Sequence, residues 1–452
     1  MKIIKREGHL QYQFQETVAL NIGNPQKLGQ GNMTFNRQVI SGMVYPPLAD
    51  MPGVLHEDSI RRIRTFQANC KSPPGAYTGN SKGWSYVRNQ VAQFINRRDG
   101  VQDADPEDIY LTNGASEGVR LCFSALLRNS NDGILIPIPQ YPLYSALLTL
   151  NGGELLAYYL DESCNWGLNV QELRDRVQRA KEDGFCPRAI VVINPGNPTG
   201  QVMSREDLVE IVKLCHEENI LIMADEVYQQ NVYKEGKEFI SLRRVLHEMG
   251  EPYSNEVELV SMNSISKGTM GECGLRGGYM ETYNLSNRAE QILYKLKSIE
   301  LCANTIGQLA VELMVDEPHL GRESEETVEL YQTEKGAIFG GLKERAELLS
   351  DMLREMKQVS CTDIEGAMYA FPQVHFSQKF INEALSQGKQ PDFLYCLEMV
   401  DKTGIMTVPG SGFGQQPGTY HFRITNLVNP TSHMQQVLEK LRDFNDTFHA
   451  SH

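Results

Sequence analysis

From about residue 85 onward, short apolar runs rich in β-branched residues alternate with longer amphipathic stretches. The runs have the length of strands, whereas the stretches between them repeat apolar residues every three or four positions, as helices do. Strands that alternate with helices at this spacing predict a mainly parallel α/β sheet. The predicted strands span residues 109–112, 134–138, 154–159, 189–193, 220–224, 258–263 and 278–281, and three of the predicted helices span 116–129, 168–183 and 204–218.

The two ends of the chain have other patterns. Residues 20–55 are rich in Gly, Pro and Asn with weak periodicity, which predicts an irregular arm. Residues 320–350 predict one long charged helix, and apolar residues recur at helical spacing from Ser432 to the end of the sequence. We therefore predict three parts: an arm that joins a smaller domain (1–52), a large domain (53–315) and a smaller C-terminal α/β domain (316–452).

The charge and the cysteines of the chain restrict its function. The 43 Lys and Arg residues against 57 Asp and Glu residues give a net charge of −14, which argues against binding to nucleic acid. No apolar run approaches the roughly 18 residues that a membrane span needs. Nine cysteines without a C-x-x-C pair indicate free thiols in a reducing compartment. Since the start lacks the apolar core of a signal peptide, we expect a cytoplasmic protein.

Polar residues with catalytic potential follow three of the predicted strands, at the sheet edge where α/β proteins bind ligands. Asp225 ends an apolar run, and a buried acid there is costly to ionise unless it meets a cation. A helix N-cap is the alternative interpretation of that acid. Lys267 lies in a predicted turn, where its amine is reactive at neutral pH only if desolvated or placed beside positive charge. Arg276 lies among glycines and suits a phosphate.

Taken in order, three motifs resemble those of the fold-type I pyridoxal-phosphate (PLP) aminotransferases. They are Asn-Pro-x-Asn-Pro-Thr-Gly at 194–200, Asp-x-x-Tyr at 225–228 and Ser-x-Ser-Lys-x₈-Arg at 264–276. The resemblance extends over nearly the whole chain. Similarity to the alanine aminotransferase group in particular is carried by residues 111–118, 139–144, 267–274 and 408–414.

This resemblance implies a PLP-transferase fold of type I, with PLP as the cofactor of the large domain. Lys267 would hold PLP as a Schiff base and move the proton, and Asp225 would pair with the pyridine nitrogen. Tyr228 and Asn197 would hydrogen-bond the ring oxygen. The further cofactor contacts that it implies are Ala115, Ser116, Ser264, Ser266 and Arg276 at the phosphate, Tyr141 on the ring face, and Tyr77 from the other subunit of a homodimer.

For the substrate, the resemblance implies that Arg423 binds the α-carboxylate, with Asn197 and Gly23 beside it. The implied reaction is the ping-pong transfer of an amino group, in which L-alanine and 2-oxoglutarate give pyruvate and L-glutamate. It implies no metal. Three alternatives remain open: an aminotransferase that uses glyoxylate with glutamate or alanine, a related PLP lyase, and a PLP-binding regulator without activity. The sequence assigns no residue to the substrate side chain.

Overall fold

The computed structural model describes residue 14 and residues 16–452, and eight strands of this part form one twisted sheet. Its central strands are buried along their whole length, as strands of a parallel sheet are when helices cover both faces. The eight strands, in the order in which they lie side by side, are Ile109–Thr112, Gly278–Tyr283, Leu259–Ser264, Leu221–Asp225, Cys186–Ile193, Asp132–Ile138, Glu154–Asp161 and Gly167–Leu168.

The pairing of these strands confirms the predicted mainly parallel sheet. The five strands from Leu259–Ser264 to Glu154–Asp161 in this order run parallel to one another, and the strands beyond them pair antiparallel. All seven predicted strands are present, with ends that differ by a few residues. The predicted helix 168–183 begins at Val170, because Asn169 caps it by accepting a hydrogen bond from the Glu172 N–H.

Helices pack on both faces of the sheet. Successive strand residues enter two different cores: Leu135 packs on one face with the two helices that span residues 170–182 and 205–218, and Ile134 packs on the other with the two that span 115–126 and 143–151. No helix in the described residues is long and apolar enough to cross a membrane. The helices are Thr34–Val44, Glu57–Asn69, Ser85–Asp99, Ala115–Leu126, Leu143–Asn151, Val170–Glu182, Arg205–Glu218, Leu242–Met249, Tyr253–Glu256, Asn287–Ser298, Thr305–Val315, Glu325–Glu355, Gln378–Ser386, Pro391–Thr403 and Thr431–Ser451.

The prediction of an irregular arm over residues 20–55 is wrong in its centre, where Thr34–Val44 forms a helix. Phe35, Val39 and Met43 recur four residues apart on one face and are buried in a core shared with the next two helices. Because Gly and Asn residues flank this helix, the composition of the whole segment does not indicate its short apolar face. Tertiary packing therefore decides the local structure here.

The C-terminal part forms a smaller α/β unit. The predicted long helix is confirmed as Glu325–Glu355, and it begins where the Ser324 Oγ accepts a hydrogen bond from the Thr327 N–H. The last helix, Thr431–Ser451, confirms the predicted tail helix. Short strands complete the unit: Val18–Ala19 with Ile405–Met406, Val359–Ser360 with Gln373–Val374, and Tyr369–Ala370, Phe422–Thr425 and Val408–Pro409.

A buried ion cluster joins the large sheet unit to the start of the long helix. The Arg62 Nη1 lies 3.1 Å from a Glu312 carboxylate oxygen, and the Arg62 Nη2 lies 2.9 Å from Glu323. Burial raises the pKa of Glu312 to about 7, although the charge of Arg62 opposes the shift. The cluster therefore depends on Arg62 for its charge balance.

We expect Arg62→Leu to lower the free energy of unfolding by about 3–5 kcal/mol, because the buried Glu312 carboxylate loses the arginine that pairs with it. Denaturant titration measures this difference. The control is Arg174→Leu, which breaks a half-exposed pair with Glu217 and should cost less than about 1 kcal/mol. Equal losses in the two variants would contradict the importance of the buried cluster.

Candidate active site

A cavity of about 430 Å³ lies at the carboxyl ends of the central parallel strands. Parallel strands place the residues that follow them at one edge of the sheet, so distant motifs meet there. Tyr77 does not line the cavity, and its side chain is 70% exposed in the single chain. The other predicted site residues all line it: Gly23, Ala115, Ser116, Tyr141, Asn197, Asp225, Tyr228, Ser264, Ser266, Lys267, Arg276 and Arg423.

The buried acid of the cavity is Asp225, the last residue of strand Leu221–Asp225. Its Oδ2 accepts a hydrogen bond of 2.5 Å from the Tyr144 hydroxyl, and its Oδ1 accepts one of 3.4 Å from the Val227 N–H. Burial raises the pKa of Asp225, while Tyr144, Val227 and the charge of Lys267 oppose the rise. The carboxylate is thus held in place by neutral donors and is stabilised further by a positive group in the cavity.

Lys267 lies in the turn after strand Leu259–Ser264. Its Nζ donates a hydrogen bond of 2.6 Å to the Gly23 carbonyl oxygen and lies 5.8 Å from the centre of the Tyr228 ring. The next residue, Gly268, has a φ of +64°, and a Cβ there would lie 2.3 Å from the Gln230 Oε1. The turn that presents the lysine therefore requires glycine at this position.

The first cationic region of the cavity is formed around Arg276. The Arg276 Nη2 donates to the Asn113 carbonyl oxygen at 2.7 Å and to the Ser116 Oγ at 3.4 Å. A Cβ on Gly114 would lie 2.6 Å from the Nη2, so glycine allows the guanidinium to approach this loop. The arginine side chain is thereby fixed beside the start of helix Ala115–Leu126.

The helix start and two serines complete this region. No side chain caps helix Ala115–Leu126, and only the third N–H group, that of Glu117, donates within the turn, to the Gly114 carbonyl oxygen, so the first two are available to an anion at the positive end of the helix. The Ser264 Oγ donates to the Ser266 Oγ at 3.1 Å. These hydroxyls, the helix N–H groups and Arg276 form the kind of donor set that binds a phosphate.

The second cationic region of the cavity is centred on Arg423, which lies on strand Phe422–Thr425. Its Nη1 donates to the Asn197 Oδ1 at 3.0 Å, and its Nη2 donates to the Asn21 carbonyl oxygen at 2.8 Å. Its Nε is buried and has no hydrogen-bond partner among the described residues. A buried donor without a partner is costly, which indicates that a ligand supplies the acceptor.

The sequence prediction missed two tyrosines of this site. Tyr144 follows Tyr141 at helical spacing in the same turn, and this spacing could have indicated a second aromatic residue near the sheet edge. Tyr369 lines the cavity from strand Tyr369–Ala370 of the smaller unit. No local motif predicts Tyr369, because its position depends on how this unit packs against the sheet.

Comparisons with known proteins agree with this arrangement. The sequence profile of the family "Aminotransferase class I and II" matches residues 60–441. A probable mitochondrial alanine aminotransferase of Dictyostelium discoideum is 46% identical over 98% of this chain and 83% of that protein. Glutamate–glyoxylate aminotransferase 1 of Arabidopsis thaliana is 45% identical over 98% of this chain and 92% of that protein.

Solved structures share the whole architecture. Alanine aminotransferase from Pyrococcus furiosus matches with a TM-score of 0.75 and 26% identity, over 96% of this chain and 93% of that one. An aminotransferase from Escherichia coli matches with a TM-score of 0.76 and 26% identity, over 99% and 94% of the two chains. The fold of type I and the resemblance to alanine aminotransferases are confirmed, and the chain belongs to the class I and II aminotransferase family.

Proposed function

We propose that this protein uses PLP to transfer the amino group of L-alanine to 2-oxoglutarate, giving pyruvate and L-glutamate. The observation that carries the proposal is the cavity itself, which Lys267 and Asp225 line together with two arginines, Arg276 and Arg423. The names of the relatives from Dictyostelium discoideum and Pyrococcus furiosus support alanine as the amino donor. The cytoplasmic location stays a prediction, as does the division at residues 52 and 315.

The residues of the cavity fit PLP. The region around Arg276 would hold the phosphate, and Asp225 would face the ring nitrogen and keep it protonated. Tyr141 lines the same cavity and would cover one face of the ring. When bound, PLP accepts the electron pair that the substrate leaves behind when its Cα–H bond breaks.

In the proposed reaction, Lys267 is the group that carries the proton of the substrate Cα. Its Nζ is held by the Gly23 carbonyl oxygen, on the side of the cavity where Arg423 lies near Asn21. An amine in this position can bind the cofactor and, once released, would take the proton from the substrate Cα and deliver it to C4′ of the cofactor. The Tyr144 hydroxyl keeps the Asp225 carboxylate oriented during both steps.

Arg423 would orient the substrate by its α-carboxylate. Its buried Nε offers an unused donor, and Asn197 keeps the guanidinium plane fixed through the hydrogen bond at 3.0 Å. A carboxylate bound here places the α-carbon toward Lys267 and leaves the side chain free to differ between alanine and glutamate. Two substrates can therefore share one site.

We expect Arg423→Lys to raise the KM values for L-alanine and 2-oxoglutarate by roughly 10–100-fold, since an ammonium cannot replace a planar guanidinium that donates several bonds. Steady-state kinetics with each substrate varied in turn measures this. Arg442→Lys, in the last helix and outside the cavity, is the control. Unchanged KM values in Arg423→Lys would contradict the proposal that Arg423 binds the substrate carboxylate.

The use of glyoxylate is a second candidate, favoured by the similarity to the glutamate–glyoxylate aminotransferase of Arabidopsis thaliana. A panel of 2-oxo acids with alanine and with glutamate as donors distinguishes the two proposals. A higher kcat/KM for 2-oxoglutarate than for glyoxylate supports the first. The reverse order supports the second.

The role of Tyr77 depends on a second subunit and stays part of the proposal. Its exposed side chain is available to the neighbouring subunit of a homodimer. Sedimentation measurements on the PLP-loaded protein test the dimer. The effect of Tyr77→Phe on the affinity for PLP tests the contact with the phosphate.

A further inference from the structure

Tyr369 is a cavity residue for which the proposed reaction has so far no role. Strand Tyr369–Ala370 pairs antiparallel with strand Phe422–Thr425, which places the tyrosine beside Arg423. The Arg423 Cζ lies 4.2 Å from the centre of the Tyr369 ring and 4.7 Å from that of Phe413. The two rings therefore hold the guanidinium by cation–π contacts.

The hydroxyl of Tyr369 lies against the backbone of Gly23. A Cβ on Gly23 would lie 1.8 Å from the Tyr369 Oη and 3.0 Å from the Lys267 Nζ. The hydroxyl and the amine are thus neighbours that share the space above Gly23. Only glycine leaves this space open, so the backbone at this position is part of the site.

The Tyr369 hydroxyl accepts a hydrogen bond but donates none within the described residues. The Tyr228 hydroxyl donates to the Tyr369 Oη at 3.4 Å. Within residues 16–452, no acceptor receives a hydrogen bond from the Tyr369 hydroxyl. Tyr369 as a residue is 2% exposed, and a buried hydroxyl with a free donor indicates an acceptor supplied by a ligand.

The charges around this hydroxyl favour an anionic acceptor. Burial raises the pKa of Tyr369, but the nearby charges of Lys267 and Arg423 outweigh burial and lower the pKa overall. The Tyr228 hydroxyl that donates to it has a raised pKa, mainly because of burial. Tyr369 therefore lies at a point of positive potential, where its O–H group is a strong donor to an anion.

We infer that the Tyr369 hydroxyl donates a hydrogen bond to the substrate α-carboxylate and is a second binding residue for that group beside Arg423. This inference rests on the proposed function. In the substrate, a single bond joins the α-carbon to the carboxylate. When Arg423 binds the carboxylate and the α-carbon is within reach of Lys267, the two side chains must therefore lie close to each other around the substrate. The Tyr369 ring lies against Arg423 and its Oη borders the same space above Gly23 as the Lys267 Nζ, so the hydroxyl contacts the carboxylate there.

Tyr369→Phe tests the hydroxyl while retaining the ring that stacks on Arg423. The probe is propionate, a carboxylate without an amine, titrated calorimetrically into the PLP-loaded protein. We expect the Kd to rise about tenfold or more, the cost of one lost hydrogen bond to a charged group. Tyr233→Phe is the matched control, because it removes another buried hydroxyl of the same core that bonds the Ala367 carbonyl oxygen.

A second readout separates binding from a structural role. The rate of the first half-reaction with L-alanine should fall in Tyr369→Phe at low substrate concentration, whereas the rate with ethylamine, which has no carboxylate, should not change. Equal slowing with both amines would overturn the inference, as would an unchanged Kd for propionate.

Failure of the inference differs from failure of the proposed function. If Arg423→Lys weakens propionate binding and Tyr369→Phe does not, the contact with Tyr369 is wrong and the carboxylate site stands. If neither variant weakens binding, the carboxylate site itself is wrong.

Discussion

Replacement of Lys267 by alanine should reduce amino-group transfer at least about 10⁴-fold, below the level measurable in a steady-state assay. The cavity offers no other amine: its remaining basic side chains in the described residues are Arg276 and Arg423, whose guanidinium groups stay charged. Both half-reactions should be lost together, since one amine serves both. Single-turnover measurement of pyruvate from L-alanine gives the comparison.

Two control experiments make this test specific to Lys267. Lys295→Ala, which removes an exposed lysine from helix Asn287–Ser298, should leave the rates unchanged. A small primary amine added to Lys267→Ala should restore part of the activity, because it can replace the missing proton carrier. Full turnover of Lys267→Ala without added amine would contradict the assignment.

Asp225→Asn should have the second largest effect, a loss of roughly 10²–10⁴-fold in the rate of the first half-reaction. A neutral amide cannot stabilise the charge of a protonated ring nitrogen as a carboxylate does, and loss of one member of a buried charge pair costs about 3–5 kcal/mol. In this variant the Tyr144 hydroxyl can still donate to the side-chain oxygen of residue 225, but that oxygen no longer carries a charge for the bond to stabilise. Stopped-flow measurement of the half-reaction with L-alanine determines the rate.

The control for Asp225 is Asp161→Asn, at the end of strand Glu154–Asp161 in the same sheet but outside the cavity. This variant should retain the original rate. The absorbance spectrum of bound PLP as a function of pH gives a second readout, and it should change in Asp225→Asn alone. A wild-type rate in Asp225→Asn would show that the ring nitrogen needs no anionic partner.

The sequence predicts the sheet and most of the cavity for one physical reason. Buried parallel strands are short apolar runs, and the residues after them must meet at one edge, so Asp225 and Lys267 are placed as soon as their strands are recognised. The same rule accounts for Asn197, which follows strand Cys186–Ile193. Local pattern and site geometry agree wherever a residue lies next to a strand of the large sheet.

Residues brought in by distant packing are less predictable. Tyr369 enters the cavity from a two-residue strand, and its neighbours Gly23 and Arg423 come from opposite ends of the sequence. Helix Thr34–Val44 is missed for a related reason, since its apolar face is stabilised by packing against the next helix, Glu57–Asn69, and against helices much later in the chain. Neither feature has a local signal strong enough to stand out.

The most direct test of the account separates the two halves of the reaction. The PLP-loaded protein is mixed with L-alanine alone, pyruvate and ammonia are quantified, and 2-oxoglutarate is then added. The account predicts one pyruvate per active site with no ammonia, followed by one L-glutamate per site after the addition. No pyruvate, or continued pyruvate formation with release of ammonia, would contradict it.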